Sequence, residues 1–496
     1  MKPANMIYFM LPFIVSTIIT YFTRENVYLV WLTYFIWLSI TLGIFNFANF
    51  TLLYFKASKY RTNLVGEDLK LKIAAFVTSY NENPEIVKGT VRSVKAAVRA
   101  RGDVFLLDDS TDASIANELS QFCRDIGVKY KHRTNRRGFK AGAINDALKA
   151  IETDYDLTAI FDADQRPTED FFDEVVPYFN DQTVGFVQVP QKYTELKTKL
   201  SVGSDFQQVP FLLVMMEGRD NVSAFSLGSG TVYRIFVLKQ AGYIDESTIT
   251  EDIATSVKIH ELGYKSKYVN RQLIWYGEPP TDVTAYFTQQ SRWSLGGFQL
   301  LRTILFSNLG FDAFYDYISG WFYWVETGPL TIMQLIGPIA FLLFGMQVMK
   351  LNPTIYILGY APFVLFSLSI YIAMMRNRSY GLKGFLYHQF VEYLVFVPVT
   401  LSFIAWMFRR RVPFKVTPKR RARRSYREII AHAAFLLLLY ASIIRGIFLI
   451  TGPSLVVSEA VIVNVIWAAF HAVFLTGGIY FALKVVESKQ SAYIIS

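Results

Sequence analysis

Three short acidic groupings stand out as residues that could do chemistry: Asp108-Asp109, Asp162-Ala163-Asp164 and Glu251-Asp252. Aspartates on alternate residues at a strand end can hold a divalent cation together with a diphosphate. Their oxygen donors suit Mg2+ or Mn2+, and the lack of a His/Cys cluster argues against zinc. The chemistry that needs such an arrangement is departure of a nucleoside diphosphate, with a general base to activate an attacking hydroxyl. Each grouping also has a plainer reading, because strand-end aspartates cap turns and an acidic pair before a helix caps the helix. A fourth grouping, Gln289-Gln290-Ser291-Arg292-Trp293, puts an amide, a guanidinium and an indole within five residues, just before the chain turns apolar.

The elements around these groups read as alternating strands and helices. LKIAAFVTSY is a buried-strand run ending at the turn Asn81–Pro84, and Pro84 opens a helix over Glu85–Ala100. VFLLDDS is a second strand, followed by a helix near Ala113–Asp125 and a short strand, VKYKH. GFKAGAINDALKAI reads as a helix, and DLTAIFDADQ as a strand ending in acids. This alternation predicts an α/β domain with a mostly parallel, doubly wound sheet. Ligands in such sheets bind outside the carboxyl ends of the strands, where the first two acidic groupings fall.

The chain is 52% hydrophobic and 16% aromatic, too apolar for an ordinary soluble protein. The apolar residues gather in runs at both ends. Two precede the α/β region, Lys2–Arg24 and Asn26–Lys56, each long enough to cross a hydrocarbon core of about 30 Å. The first lacks a basic leader and a small-residue cleavage site and is followed directly by the second, so a retained hairpin is expected. After Trp293 come runs near Ile318–Met349, Thr354–Met375, Phe390–Phe408, Ile429–Ile450 and Val456–Val485. Phe390–Phe408 has basic residues on both sides and is expected to be interfacial or re-entrant, which leaves six spans in all.

The formal charge of +10 resides in one segment. Arg409–Arg427 holds ten basic residues and no acid, and the other 40 basic residues equal the 40 acidic ones. This pattern predicts a cytoplasmic loop facing anionic membrane lipid, not a nucleic-acid surface. The single cysteine, Cys123, excludes an internal disulfide.

DDS at 108–110, KAGAIN at 140–145, DAD at 162–164, TED at 250–252 and QQSRW at 289–293 together resemble the processive family-2 glycosyltransferases, which include cellulose, chitin and hyaluronan synthases. Phe414-Lys415-Val416-Thr417-Pro418-Lys419 resembles the FxVTxK gating loop of bacterial cellulose synthase. The resemblance covers nearly the whole chain. It implies a GT-A-type cytosolic domain inserted between transmembrane helices of the cell membrane. It also implies an inverting, metal-dependent transfer from a UDP-sugar to the non-reducing end of a growing β-linked polysaccharide, which then crosses the membrane.

Carried over by position, the resemblance makes Asp252 the base, with Glu251 beside it. Tyr80, Glu82, Asp108 and Asp162 would contact the nucleotide, Lys140, Gln289 and Arg292 the diphosphate, and Thr417 and Lys419 would close over the nucleotide. Asp164 would bind the metal and Trp293 would stack under the acceptor sugar. Leu227 in SLGSG departs from the family, since cellulose synthase has a cysteine near the acceptor there. The two N-terminal spans are closer to hyaluronan synthase, whereas FxVTxK points to cellulose synthase. No soluble domain is expected after the last span, and so no cyclic-dinucleotide control module.

The expected layout is two spans in 1–60, the catalytic domain in 61–305, two spans in 306–380, the interfacial helix and gating loop in 381–428, and two spans in 429–496. Intramembrane polar residues, among them Glu326, Gln334, Arg445, Glu459, Asn464 and His471, either line a polysaccharide path or snorkel from span ends. Two other functions stay open from sequence: a non-processive transferase acting on a lipid or short glycan, and a transporter or channel without catalysis.

Overall fold

The computed structural model describes residues 2–57, 70–277, 279–349, 353–375, 380–410, 423–452 and 459–484. Thr417, Lys419 and the rest of the FxVTxK segment lie outside the described residues.

The α/β domain is built on ten strands: β1 (Ile73–Ser79), β2 (Gly102–Asp108), β3 (Lys129–His132), β4 (Leu157–Asp162), β5 (Arg166–Pro167), β6 (Val184–Gln188), β7 (Lys192–Tyr193), β8 (Thr231–Arg234), β9 (Lys265–Tyr268) and β10 (Ile274–Tyr276). Seven form one sheet in the order β3-β2-β1-β4-β8-β6-β9, and β5-β10-β7 form a second, small sheet. The half around β1 is parallel, as the strand–helix alternation requires. The other half is mixed, because β8 runs antiparallel to both β4 and β6. This is the mostly parallel α/β domain expected, with an antiparallel insertion that a four-residue strand beside a glycine does not announce.

Both faces of the sheet are covered. Along β1, Ile73, Ala75 and Val77 face one apolar core while Ala74 and Phe76 face another. Both faces are therefore buried, which explains why the strand reads as a continuous apolar run. The helix Pro84–Val98 packs Val87, Val91, Val94 and Val98 at helical spacing into the first core. It starts where Asn83 accepts a hydrogen bond from the Glu85 backbone amide and Pro84 takes the first turn. The helix Phe139–Lys149 covers the opposite face with Ala141, Ile144 and Leu148. Register sets the functional edge: Ser79 pairs with Asp108 and Thr78 with Asp162, so β1, β2 and β4 end at one level.

Among the described residues, five helices are long and apolar enough to cross a membrane: Pro3–Thr23, Val27–Ala57, Phe311–Phe344, Arg427–Thr451 and Glu459–Leu483. Gly381–Glu392 and Phe396–Met407 form a pair bent by 45°, either a broken span or a re-entrant loop, and Pro362–Met375 is a shorter apolar helix. One core joins the α/β domain to these helices, with Ala254, Phe287 and Phe298 packing alongside Leu42, Phe322 and Val391.

Candidate active site

A cavity of about 2050 Å³ opens at the carboxyl ends of β1 and β4 and continues between the apolar helices. At its upper end it is lined by Tyr80, Glu82, Lys140, Asp162, Asp164, Glu251, Asp252, Gln289, Arg292 and Trp293. The structure thus brings together ten of the residues singled out by spacing and resemblance, from six separate elements or turns.

Asp108 is not among them. Its side chain is fully buried; Oδ1 accepts from the Ser110 amide at 3.1 Å and the Ser110 hydroxyl at 2.5 Å, and Oδ2 accepts from Tyr130 at 2.8 Å. Strand alternation explains this, since Asp108 follows Val104 and Leu106 onto the face away from the cavity. Asp109 lines the cavity instead and is gripped by Arg133, with Nε–Oδ1 at 2.9 Å and Nη2–Oδ2 at 2.6 Å. This fork is the stronger, bidentate kind of ion pair.

Lys140 sits one residue into its helix and reaches across the cleft. Its Nζ donates to Asp162 Oδ1 at 2.5 Å and to the Gly228 carbonyl at 2.7 Å. Burial works against its charge, but Asp162 and Glu251 hold its pKa above the ordinary lysine value. Gly228 adopts φ +78°, and a side chain there would lie 3.0 Å from Asp252 Oδ2. Glycine is therefore required at this turn both for its backbone and for the approach of the carboxylate.

Glu251 and Asp252 open the helix Glu251–Glu261, and Asp252 Oδ1 accepts from the Ile253 amide at 2.8 Å. Burial, followed by the charge of Glu251, pushes the Asp252 carboxyl up to about 7. Burial also raises Glu251, while Lys140 and Arg292 pull it back. A carboxyl that titrates near neutrality and faces a cleft is suited to take a proton from a hydroxyl.

Arg292 and Trp293 lie on the helix Val283–Phe306, whose start is fixed by Asp282 accepting from the Ala285 amide at 2.9 Å. Gln289 is 6% exposed, and its Oε1 has no hydrogen-bond partner among the described residues, leaving an acceptor on the cavity wall. Gly297 on the same helix admits Trp324, whose ring would collide with any Cβ there. Spacing alone missed the Arg136 guanidinium, which lies 3.3 Å over the centre of the Tyr80 ring. The only trace of it in the sequence is the basic pair Arg136-Arg137 before Gly138.

Among the described residues, no group of three or more His, Cys, Asp or Glu side chains could hold a metal ion on its own. The residues present still fit a hard cation that completes its shell with substrate oxygens and water. Asp164 lines the cavity and packs against Gly277, where a Cβ would run into its carboxylate, so only glycine lets that carboxylate keep its place. Asp162 stands two residues before it at the end of β4.

The family described as "Glycosyltransferase like family 2" matches residues 71–296, the α/β domain with its carboxylates and the helix bearing Arg292. Residues 71–296 are thus similar to a family 2 glycosyltransferase domain. The chain is 26% identical over 344 residues to the cellulose synthase catalytic subunit [UDP-forming] of Pseudomonas fluorescens, covering 67% of this chain and 46% of that one. It is 29% identical over 264 residues to the probable glucomannan 4-beta-mannosyltransferase 15 of Arabidopsis thaliana, covering 49% of this chain and 48% of that one. The matches thus span less than half the length of these relatives. The fold of the glycosyltransferase domain is of the GT-A type. A mannosyltransferase of Pyrobaculum calidifontis, solved with GDP-Man and Mn2+, superimposes with a TM-score of 0.54 at 16% identity, over 75% of this chain and 99% of that one.

Proposed function

We propose that this protein is a processive membrane glycosyltransferase. It takes a UDP-sugar at the cytoplasmic face of the cell membrane, adds the sugar with inversion to the non-reducing end of a β-linked glycan, and passes that glycan through its own helices. The observation that carries this reading is the continuity of the cavity, from Asp162 and Asp252 to Asn46, Glu326 and Glu392 among the apolar helices. Pockets for small ligands typically enclose about 300–1,000 Å³. A cavity of about 2050 Å³ leaves room for a chain as well as a donor.

In this mechanism Tyr80, Glu82 and Asp162 hold the nucleotide, with Asp109 and Arg133 forming the adjoining wall and Asp108 bracing it from behind. Asp252, deprotonated, accepts the proton of the acceptor hydroxyl as that oxygen attacks the anomeric carbon. Glu251 keeps the base from ionising too readily, and Lys140 limits that effect. Gln289 and Arg292 orient the diphosphate, Arg292 through its planar fork. Trp293 offers a flat face to the acceptor sugar. Asp164 would hold Mg2+ or Mn2+, which when bound supplies positive charge opposite the departing diphosphate. Thr417 and Lys419 are proposed, on the FxVTxK resemblance, to close over the nucleotide.

The test uses membranes containing the protein with Mg2+ or Mn2+ and, in turn, labelled UDP-glucose, UDP-N-acetylglucosamine and GDP-mannose. High-molecular-weight polymer from a UDP-sugar is the expected result. Short or lipid-linked product would overturn processivity and favour a non-processive transferase.

A further inference from the structure

The cavity mixes cations and carboxylates at one end and carries carboxylates at the other. At the nucleotide end the lining cations are Arg136, Lys140, Arg292, Arg302, Arg409 and Arg410, set among carboxylates that include Asp162, Asp164, Glu251 and Asp252. Between the apolar helices the lining carboxylates are Asp316, Glu326 and Glu392, and apart from Arg219 beside Asp316 no lysine or arginine borders that part among the described residues. Arg219, at the boundary, is buried against the Asp316 segment, where its Nη2 donates to the Asp316 carbonyl at 3.0 Å.

Both glutamates are held as acceptors. Glu392 is the last residue before the break in the bent pair. Its Oε1 accepts from the Tyr323 hydroxyl at 2.7 Å, Oε2 accepts from the Gln207 amide, and His388 Nε2 stands 3.8 Å from Oε2. Glu326 opens the π-helical turn Glu326–Leu330, a distortion that recurs at functional sites. Its Oε2 accepts from Asn46 Nδ2 at 2.5 Å, and the helix backbone at Gly43 comes close enough that a Cβ would lie 2.9 Å from Oε1. One turn along, Asn49 borders the same cavity and is 1% exposed. Its Nδ2 donates to Ser319 at 2.7 Å, and its Oδ1 has no hydrogen-bond partner among the described residues. This wall therefore presents acceptors: two carboxylates and an unfilled amide oxygen. Carboxyl side chains inside a membrane are costly and mark a path for a polar solute.

Resting on the reading of the cavity as a glycan path, we propose that its membrane-embedded half is an acidic glycan-binding site, built on Glu326 and Glu392, that takes neutral or amino-bearing sugar units and rejects carboxylated ones. Hydroxyl and ammonium groups donate to these acceptors. A uronate brings a second negative charge and no donor to the same place, and repulsion in a half-dry cavity is strong. The upper end carries cations that can pair with a uronate, so the discrimination belongs to the lower half alone.

The test is binding of three β-linked hexasaccharides to the purified protein in nanodiscs: a neutral hexose polymer, its 2-amino counterpart and its uronate counterpart. Donor turnover is read in the same preparation. The neutral and amino chains are expected to bind more tightly than the uronate chain by on the order of tenfold or more. Glu326→Gln, which keeps a partner for Asn46, and the Glu326→Gln/Glu392→Gln pair should narrow that ratio to within about threefold. Equal binding of the uronate chain by the wild type, or a ratio unmoved in both variants, would overturn the inference while turnover to polymer stands. If no hexasaccharide binds and the product is short, the glycan-path reading itself falls and takes this inference with it.

Discussion

Replacing Asp252 with asparagine should separate stability from catalysis in a pH-dependent way. The carboxyl is raised from 3.8 to about 7 by burial and by Glu251. Its folded-state pKa thus exceeds its unfolded value. The stabilisation of the protonated form is full below about pH 4 and is lost as the pH climbs to about 7. At about 1.4 kcal/mol per unit, some three units correspond to about 4 kcal/mol. Glu251 repels the same charge and shares the relief when either group takes a proton, so about 2 kcal/mol is assigned to Asp252. Asparagine has no charge to lose, and the variant should gain on the wild type as pH rises. For a domain of this size each kcal/mol moves the melting temperature by about 2–4 °C, so the gap should widen by about 3–6 °C between pH 5 and pH 7.5 and then level off. The assay is tryptophan-fluorescence melting in detergent, with a chelator present and no nucleotide. A gap independent of pH, or one that shrinks on raising the pH, would refute the assignment of a strained carboxyl at 252.

Three further outcomes follow from the same geometry. The transfer rate at limiting substrate should rise with pH through about 7 and level off above it, because the base acts deprotonated; initial rates from pH 5.5 to 8.5 check this, and a flat profile contradicts it. Lys140→Met removes the link from Asp162 to the Gly228 carbonyl and takes a cation away from Glu251 and Asp252. Turnover should fall by roughly 10²-fold and the rising limb of the pH profile should move upward, an unshifted limb refuting the electrostatic role. Gly228→Ala forces a side chain at φ +78° against Asp252 Oδ2, so folding should weaken by about 1 kcal/mol or more, with activity lost out of proportion to it; thermal melting and rates measured together decide.

Much of the α/β domain is legible in the sequence because its signals are local. The helix over Ala113–Asp125 starts where Asp112 caps it, and the parallel strands ending in Asp108 and Asp162 are marked by apolar runs closed with acids. The antiparallel β8 is not legible, since four residues placed between β4 and β6 owe their partners to contacts far along the chain. The choice between Asp108 and Asp109 was open to strand parity, which assigns alternate residues to opposite faces. Arg136 over Tyr80, and Glu392 bound by Tyr323 and Gln207, join residues more than fifty positions apart and leave no periodic trace. Of the polar residues noted in the late spans, Glu326 lines the cavity. Gln334 instead donates to Ser39 at 2.5 Å, His471 pairs with Tyr393, Asn464 Nδ2 donates to its own helix at Ala460, and Arg445 and Glu459 are exposed. Spacing within one helix does not reveal which face the neighbouring helices leave open.

The central claim is that Asp162, Asp164, Asp252 and Arg292 surround one departing nucleotide. An anomalous-difference map from crystals grown with UDP and Mn2+ tests it most directly. The account predicts a peak within about 2.0–2.6 Å of an Asp164 oxygen, on the cavity side shared with Asp252, and a diphosphate reaching Arg292. A manganese peak remote from Asp164, or UDP bound with its diphosphate turned away from Arg292, would contradict it.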